Sequence, residues 1–193
     1  MRKSIATYPE SKNPAVYHGG DVDVHALDPV WMAHDEANQQ EGVGIYFTTN
    51  IETAERYGPK IIKAHIDLDD FVPSREVVEG YFTQDQIAEL IYEIGRKSSK
   101  EDMYYFITNW FEFPENTRVD IDTAYALAGN YMDSEIRHFQ NELVEIDKDA
   151  FIEAWNEVLG VKGTYYQVTD DEVWVAIIDP NVTVTYFEIP RQV

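Results

Sequence analysis

Cysteine is absent from the 193 residues, which excludes disulfides, thiolate metal centres and cysteine nucleophiles. Basic side chains are scarce: 15 Lys and Arg stand against 36 Asp and Glu, a net charge of −21. A surface of that sign repels phosphate backbones, so direct nucleic-acid binding is not expected, whereas a basic protein partner is compatible with it. Long apolar runs are missing too, and residues 1 to 13 lack the hydrophobic segment of a secretion signal. A soluble, cytoplasmic protein without membrane contact is the expectation. Asn181-Val182-Thr183 matches a glycosylation acceptor by pattern only.

Several site classes are missing as well. His18, His25, His34, His65 and His138 are scattered, with no paired spacing for zinc. Asp67, Asp69 and Asp70 follow a strand and read as a turn, so no metal is expected. Gly42-Val43-Gly44-Ile45 is too short for a dinucleotide fingerprint and opens a strand instead of a helix. No Gly-Lys-Ser/Thr phosphate loop occurs.

What is present is enough for an ordered core. Hydrophobic residues make up 44% of the chain and aromatics 13%, and its length suits one domain, residues 1–193. Val16 to Gly20 reads as a strand running into a glycine turn. Ile45 to Phe47 reads as a second strand, followed by a short helix capped by Thr49 with Glu52, carrying Tyr57 and stopped at Gly58-Pro59. Ile61 to Leu68 alternates, with Ile62, Ala64, Ile66 and Leu68 on one face and Lys63, His65 and Asp67 on the other.

A helical block follows, over about residues 75–160. Thr83 and Gln86 form a capping box ahead of Ile87, Leu90, Ile91 and Ile94. Ser98 and Glu101 repeat it ahead of Met103, Phe106, Ile107 and Trp110. A third helical stretch spans Asp122 to Leu143, with a break expected near Gly129-Asn130. A fourth begins at Asp147, carries Phe151, Trp155, Val158 and Leu159, and ends at Gly160. The chain then returns to strands at Thr164 to Val168, Val173 to Ile178 and Val182 to Ile189, separated by turns at Thr169 to Asp171 and Asp179 to Asn181. Strands, a helical block, then strands describe an α+β protein.

Three separated motifs carry the chemistry. Val16-Tyr17-His18-Gly19-Gly20, Gly42-Val43-Gly44-Ile45-Tyr46-Phe47-Thr48 with Tyr57 eleven positions beyond Tyr46, and Asp171-Glu172-Val173-Trp174-Val175 occur in that order. Singly, His18 suits a packed histidine, the tyrosines suit core or rim positions, and Glu172 suits a solvated hairpin. Together and in this order they resemble ADP-ribosyltransferases of the His-Tyr-Glu type, most closely the small domains of phage and mobile-element proteins. The resemblance covers the strand segments at both ends and leaves the helical block without a motif.

The resemblance implies a split antiparallel sheet with a helical insertion between its N- and C-terminal strands, and NAD as substrate. It implies that Glu172 hydrogen-bonds the ribose 2′-hydroxyl and stabilises the cation formed as nicotinamide leaves. His18 would hold the adenosine-side ribose, and the Gly19 backbone the nicotinamide carboxamide. Tyr46 and Tyr57 would stack on the cationic nicotinamide ring. The acceptor, expected to be a protein, would lie by the Gln167 to Asp171 turn. Family members that modify arginine usually carry Gln or Glu where Asp170 stands, so arginine is not implied. If the phage-type likeness extends to origin, the location is the host cytoplasm.

Two other functions remain open. Water as acceptor would make the protein an NAD glycohydrolase. A non-catalytic acidic protein mimicking nucleic acid would use the block between Glu76 and Gly160, where 19 acidic and 6 basic side chains give a net of −13.

Overall fold

A computed structural model describes residues 13–20, 42–98, 119–179 and 184–188. The chain divides into two compact units, one formed by Met1–Pro73 with Lys162–Val193 and the other by Ser74–Val161.

The first unit is built on a mixed sheet. Its strands are β1 (Ala15–Gly20), β2 (Ile45–Thr48), β3 (Lys60–His65), β4 (Phe71–Pro73), β5 (Gly163–Thr169), β6 (Glu172–Ile177) and β7 (Val184–Glu188). They lie in the order β4-β5-β6-β2-β1-β3-β7. All neighbours are antiparallel except β4 and β5. The period-2 alternation of β6 buries Val173, Val175 and Ile177, and that of β2 buries Ile45 and Phe47. Pairing is uneven: β1 and β3 share six registered pairs, β2 and β6 share four, and β1 meets β2 only at Tyr17 and Thr48.

Helix α1 (Ile51–Glu55) follows β2. Its cap is Asn50, whose side chain accepts from the Glu52 amide at 3.0 Å, one position later than the Thr49 cap expected from sequence. Thr49 is engaged by β6 instead: its hydroxyl accepts from the Val173 amide at 2.9 Å. Helix α1 ends at Glu55, so Tyr57 lies in the turn beyond it and not on the helix. At the end of β3, Asp67 accepts from the Asp69 amide at 3.0 Å and caps a 3-10 turn over Leu68–Asp70. The glycines of the first motif stay within β1 instead of turning the chain.

The second unit is helical among its described residues. Helix α2 (Gln84–Lys97) carries the Thr83–Gln86 capping box and buries Ile87, Leu90, Ile91 and Ile94. Helices α3 (Ile121–Tyr131), α4 (Ile136–Val144) and α5 (Lys148–Ala154) follow. The break between α3 and α4 falls at 132–135. There the Met132 and Ser134 carbonyls accept from the Glu79 and Val78 amides at 3.0 and 2.9 Å. Helix α5 runs into a π-helical turn, Trp155–Leu159, closed by Gly160 at φ 68°, a left-handed position that suits glycine. Trp155 is fully buried among Phe82, Phe139 and Phe151. The stripe from Met103 to Trp110, with its Glu101 cap, lies outside the described residues.

No helix among the described residues is long and apolar enough to cross a membrane.

Candidate active site

The sheet order places the three motifs on adjacent strands: Glu172 opens β6, Tyr46 lies on β2 and His18 on β1. The β2–β6 pairing puts Thr48 opposite Trp174 and Tyr46 opposite Ala176. Opposed residues of an antiparallel pair point to one face, so Glu172, Trp174, Thr48 and Tyr46 share a face of these two strands.

Glu172 is the most heavily partnered of these groups. Its Oε1 accepts from Thr48 Oγ1 at 2.9 Å and from the Trp174 indole Nε1 at 2.9 Å. Burial works against its charge, but hydrogen bonds from Trp174 and Thr48, then Thr53 and Asn50, outweigh that cost and hold the carboxyl below its ordinary value. Glu172 is therefore ionised at neutral pH. Thr48 is itself buried, and its hydroxyl accepts from the Asn50 amide at 3.1 Å. The hydroxyl proton is thus committed to Glu172.

His18 is fixed differently. Its Nδ1 lies 2.8 Å from the Tyr46 carbonyl oxygen, which can only accept, so Nδ1 carries the proton and donates. Its ring packs on Phe47 with centroids 5.5 Å apart. Burial lowers its pKa against the smaller opposing effect of that hydrogen bond. The neutral ring with Nδ1 protonated leaves Nε2 as an acceptor, suited to a hydroxyl donor.

Phe47 and Thr48, which His18 and Glu172 respectively touch, alternate to opposite faces of β2. His18 and Tyr46 are joined through a backbone carbonyl and not ring to ring. The Tyr46 hydroxyl donates to the Gly42 carbonyl at 2.5 Å, which ties the phenol to the chain leading into its own strand. Gly19 is buried under α1: a Cβ there would lie 1.8 Å from the Ala54 carbonyl oxygen. Tyr57 is 66% exposed. Gln167 sits opposite Val173 near the end of β5, at an irregularity in the pairing, and Asp170 is exposed in the turn before Glu172.

Sequence reasoning missed Thr48, Trp174, Asn50 and Thr53 as partners of Glu172. The i, i+2 spacing of Glu172 and Trp174 on a strand was the one available signal. Thr48 becomes visible only once β2 and β6 are in register. Among the described residues no group of three or more His, Cys, Asp or Glu side chains could hold a metal ion. Comparison of the chain with protein-family models, curated proteins and solved structures finds no match.

Proposed function

We propose that this protein is an NAD-dependent mono-ADP-ribosyltransferase acting on a protein acceptor. The observation that carries the reading is the adjacency of β6, β2 and β1, the strands that carry Glu172, Tyr46 and His18. The single pair that joins β1 to β2 suits the opening of a split sheet at that seam. His18 packs on Phe47 and Glu172 accepts from Thr48, on opposite faces of β2, so Glu172 carries the chemistry and His18 is given no ribose contact.

The chemistry follows from charge. Nicotinamide leaves with the electron pair of the C1′–N bond, and positive charge develops on the ribose. A fixed carboxylate stabilises that cation more than the ground state, which lowers the barrier. The acceptor nucleophile then bonds to C1′ and loses its proton. Tyr46 and the exposed Tyr57 offer ring faces to the cationic nicotinamide, an attraction of about 1 to 2 kcal/mol when desolvated. Gly19 is packed against the Ala54 carbonyl of α1 and is given no carboxamide contact, while Gln167 with Asp170 flanks the acceptor.

The test measures nicotinamide release and transfer of labelled ADP-ribose from NAD, comparing wild type with Glu172→Gln. Loss of about a hundredfold or more in the variant is expected. Equal rates would remove Glu172 from the mechanism, and no cleavage by wild type would end the enzymatic reading. Free ADP-ribose without labelled protein would assign water as the acceptor and make the protein a glycohydrolase.

A further inference from the structure

The geometry points to Trp174 as a positioning residue for the Glu172 carboxylate, an inference that rests on the catalytic reading of Glu172 given above. The two residues are separated by Val173 on β6, so their side chains leave the same face of the strand. The indole Nε1 donates to Glu172 Oε1 at 2.9 Å, and Thr48 Oγ1 donates to the same oxygen at 2.9 Å from the neighbouring strand. An indole nitrogen can only donate, and a tryptophan side chain turns about two torsions, so this contact is directional. The Thr48 proton is also directed, because the same hydroxyl accepts from the Asn50 amide.

Two donors from two strands meeting on one oxygen restrict a side chain that otherwise samples three torsions. Displacing a catalytic group by about 1 Å can lower a rate by about a hundredfold. Trp174 therefore acts on the reaction through Glu172, without any required contact to the dinucleotide. A hydrogen bond that served only folding would still move the titration of Glu172 but would leave the turnover of folded enzyme unchanged.

Trp174→Phe retains the aromatic body and deletes the N–H. For nicotinamide release from NAD, the expected result is a kcat lower by about ten- to a hundredfold with KM for NAD unchanged. The acid limb of the pH–rate profile should move to higher pH, and so should the Glu172 carboxyl titration followed by carbon NMR. In wild type, the Trp174 indole N–H resonance should shift at the Glu172 midpoint and lose that response in Glu172→Gln, a measurement that needs no folded Trp174 variant. An indole signal indifferent to Glu172 overturns the proposal, as does a folded Trp174→Phe variant with wild-type kcat. Should wild type release no nicotinamide, the enzymatic reading falls separately, and the two titrations decide whether Trp174 holds the carboxylate.

Discussion

The imidazole of His18 donates its Nδ1 proton to the carbonyl of Tyr46 at 2.8 Å, linking β1 to β2 beside their single registered pair. That bond fixes the tautomer, while burial sets the charge state. Desolvation disfavours the imidazolium more than the carbonyl hydrogen bond favours it, so the folded pKa lies below the ordinary 6.5.

A pH dependence of stability follows from that depressed value. The folded protein resists protonating His18, so its contribution is fully present above the unfolded pKa and is lost as pH falls through the lower folded one. Thermal unfolding of wild type and His18→Gln, followed from about pH 7 to about pH 5, should show the steeper loss in wild type. Glutamine can still donate to the Tyr46 carbonyl but does not titrate. Parallel curves would mean that His18 is not held neutral by burial.

Gly19 provides a second prediction, this one steric. A Cβ at this position would stand 1.8 Å from the Ala54 carbonyl oxygen, and a backbone atom cannot swing aside as a side-chain tip can. Gly19→Ala should push α1 off β1 and destabilise the chain by about 1 to 3 kcal/mol, the usual range for overpacking. Denaturant unfolding measures this, and a midpoint equal to wild type would show that α1 is free to retreat.

Local signals in the sequence were reliable where local contacts decide the structure. The Thr83–Gln86 capping box and the stripe from Ile87 to Ile94 could be read directly, as could the stop at Gly160. Misplacements arose where distant segments compete. Thr49 looks like a helix cap, yet β6 claims its hydroxyl and Asn50 caps instead. The break after α3 came later than Gly129-Asn130, because the carbonyls of Met132 and Ser134 are used by the segment at Val78 and Glu79. Strand β4 was not foreseen: it has three residues, ends in proline and pairs in parallel with β5, about ninety positions away. Within the candidate site, Glu172 stood out as a carboxylate opening a strand, but the Thr48 hydroxyl that holds it depends on a register that no local pattern encodes.

The capping box offers a quantitative check on the second unit. Thr83 accepts from the Gln86 amide at 3.3 Å, and Gln86 Oε1 accepts from the Thr83 amide at 2.9 Å. Thr83→Ala removes the hydroxyl and leaves the first turn of α2 short of an acceptor, at a cost of about 1 kcal/mol. Hydrogen exchange of the amides at the start of α2 should quicken correspondingly. Unchanged exchange at Gln86 would show that solvent replaces the cap without penalty.

Trp155 supports a prediction that separates packing from hydrogen bonding. Its ring is fully buried, yet among the described residues its Nε1 has no hydrogen-bond partner. Phe151, Phe82 and Phe139 surround it, with ring centroids at 5.5, 6.1 and 6.4 Å. A buried donor without an acceptor carries a desolvation penalty of about 1 to 3 kcal/mol, which offsets part of the benefit of burying the ring. Trp155→Phe removes the stranded donor while keeping much of the aromatic contact, so its stability should fall within about 1.5 kcal/mol of wild type. Trp155→Ala leaves a cavity at the start of the π-helical turn and should cost about 3 to 5 kcal/mol. Chemical denaturation of the two variants supplies the comparison. Equal losses would mean that the indole N–H contributes a hydrogen bond to the folded state and that the ring's shape alone does not account for the core.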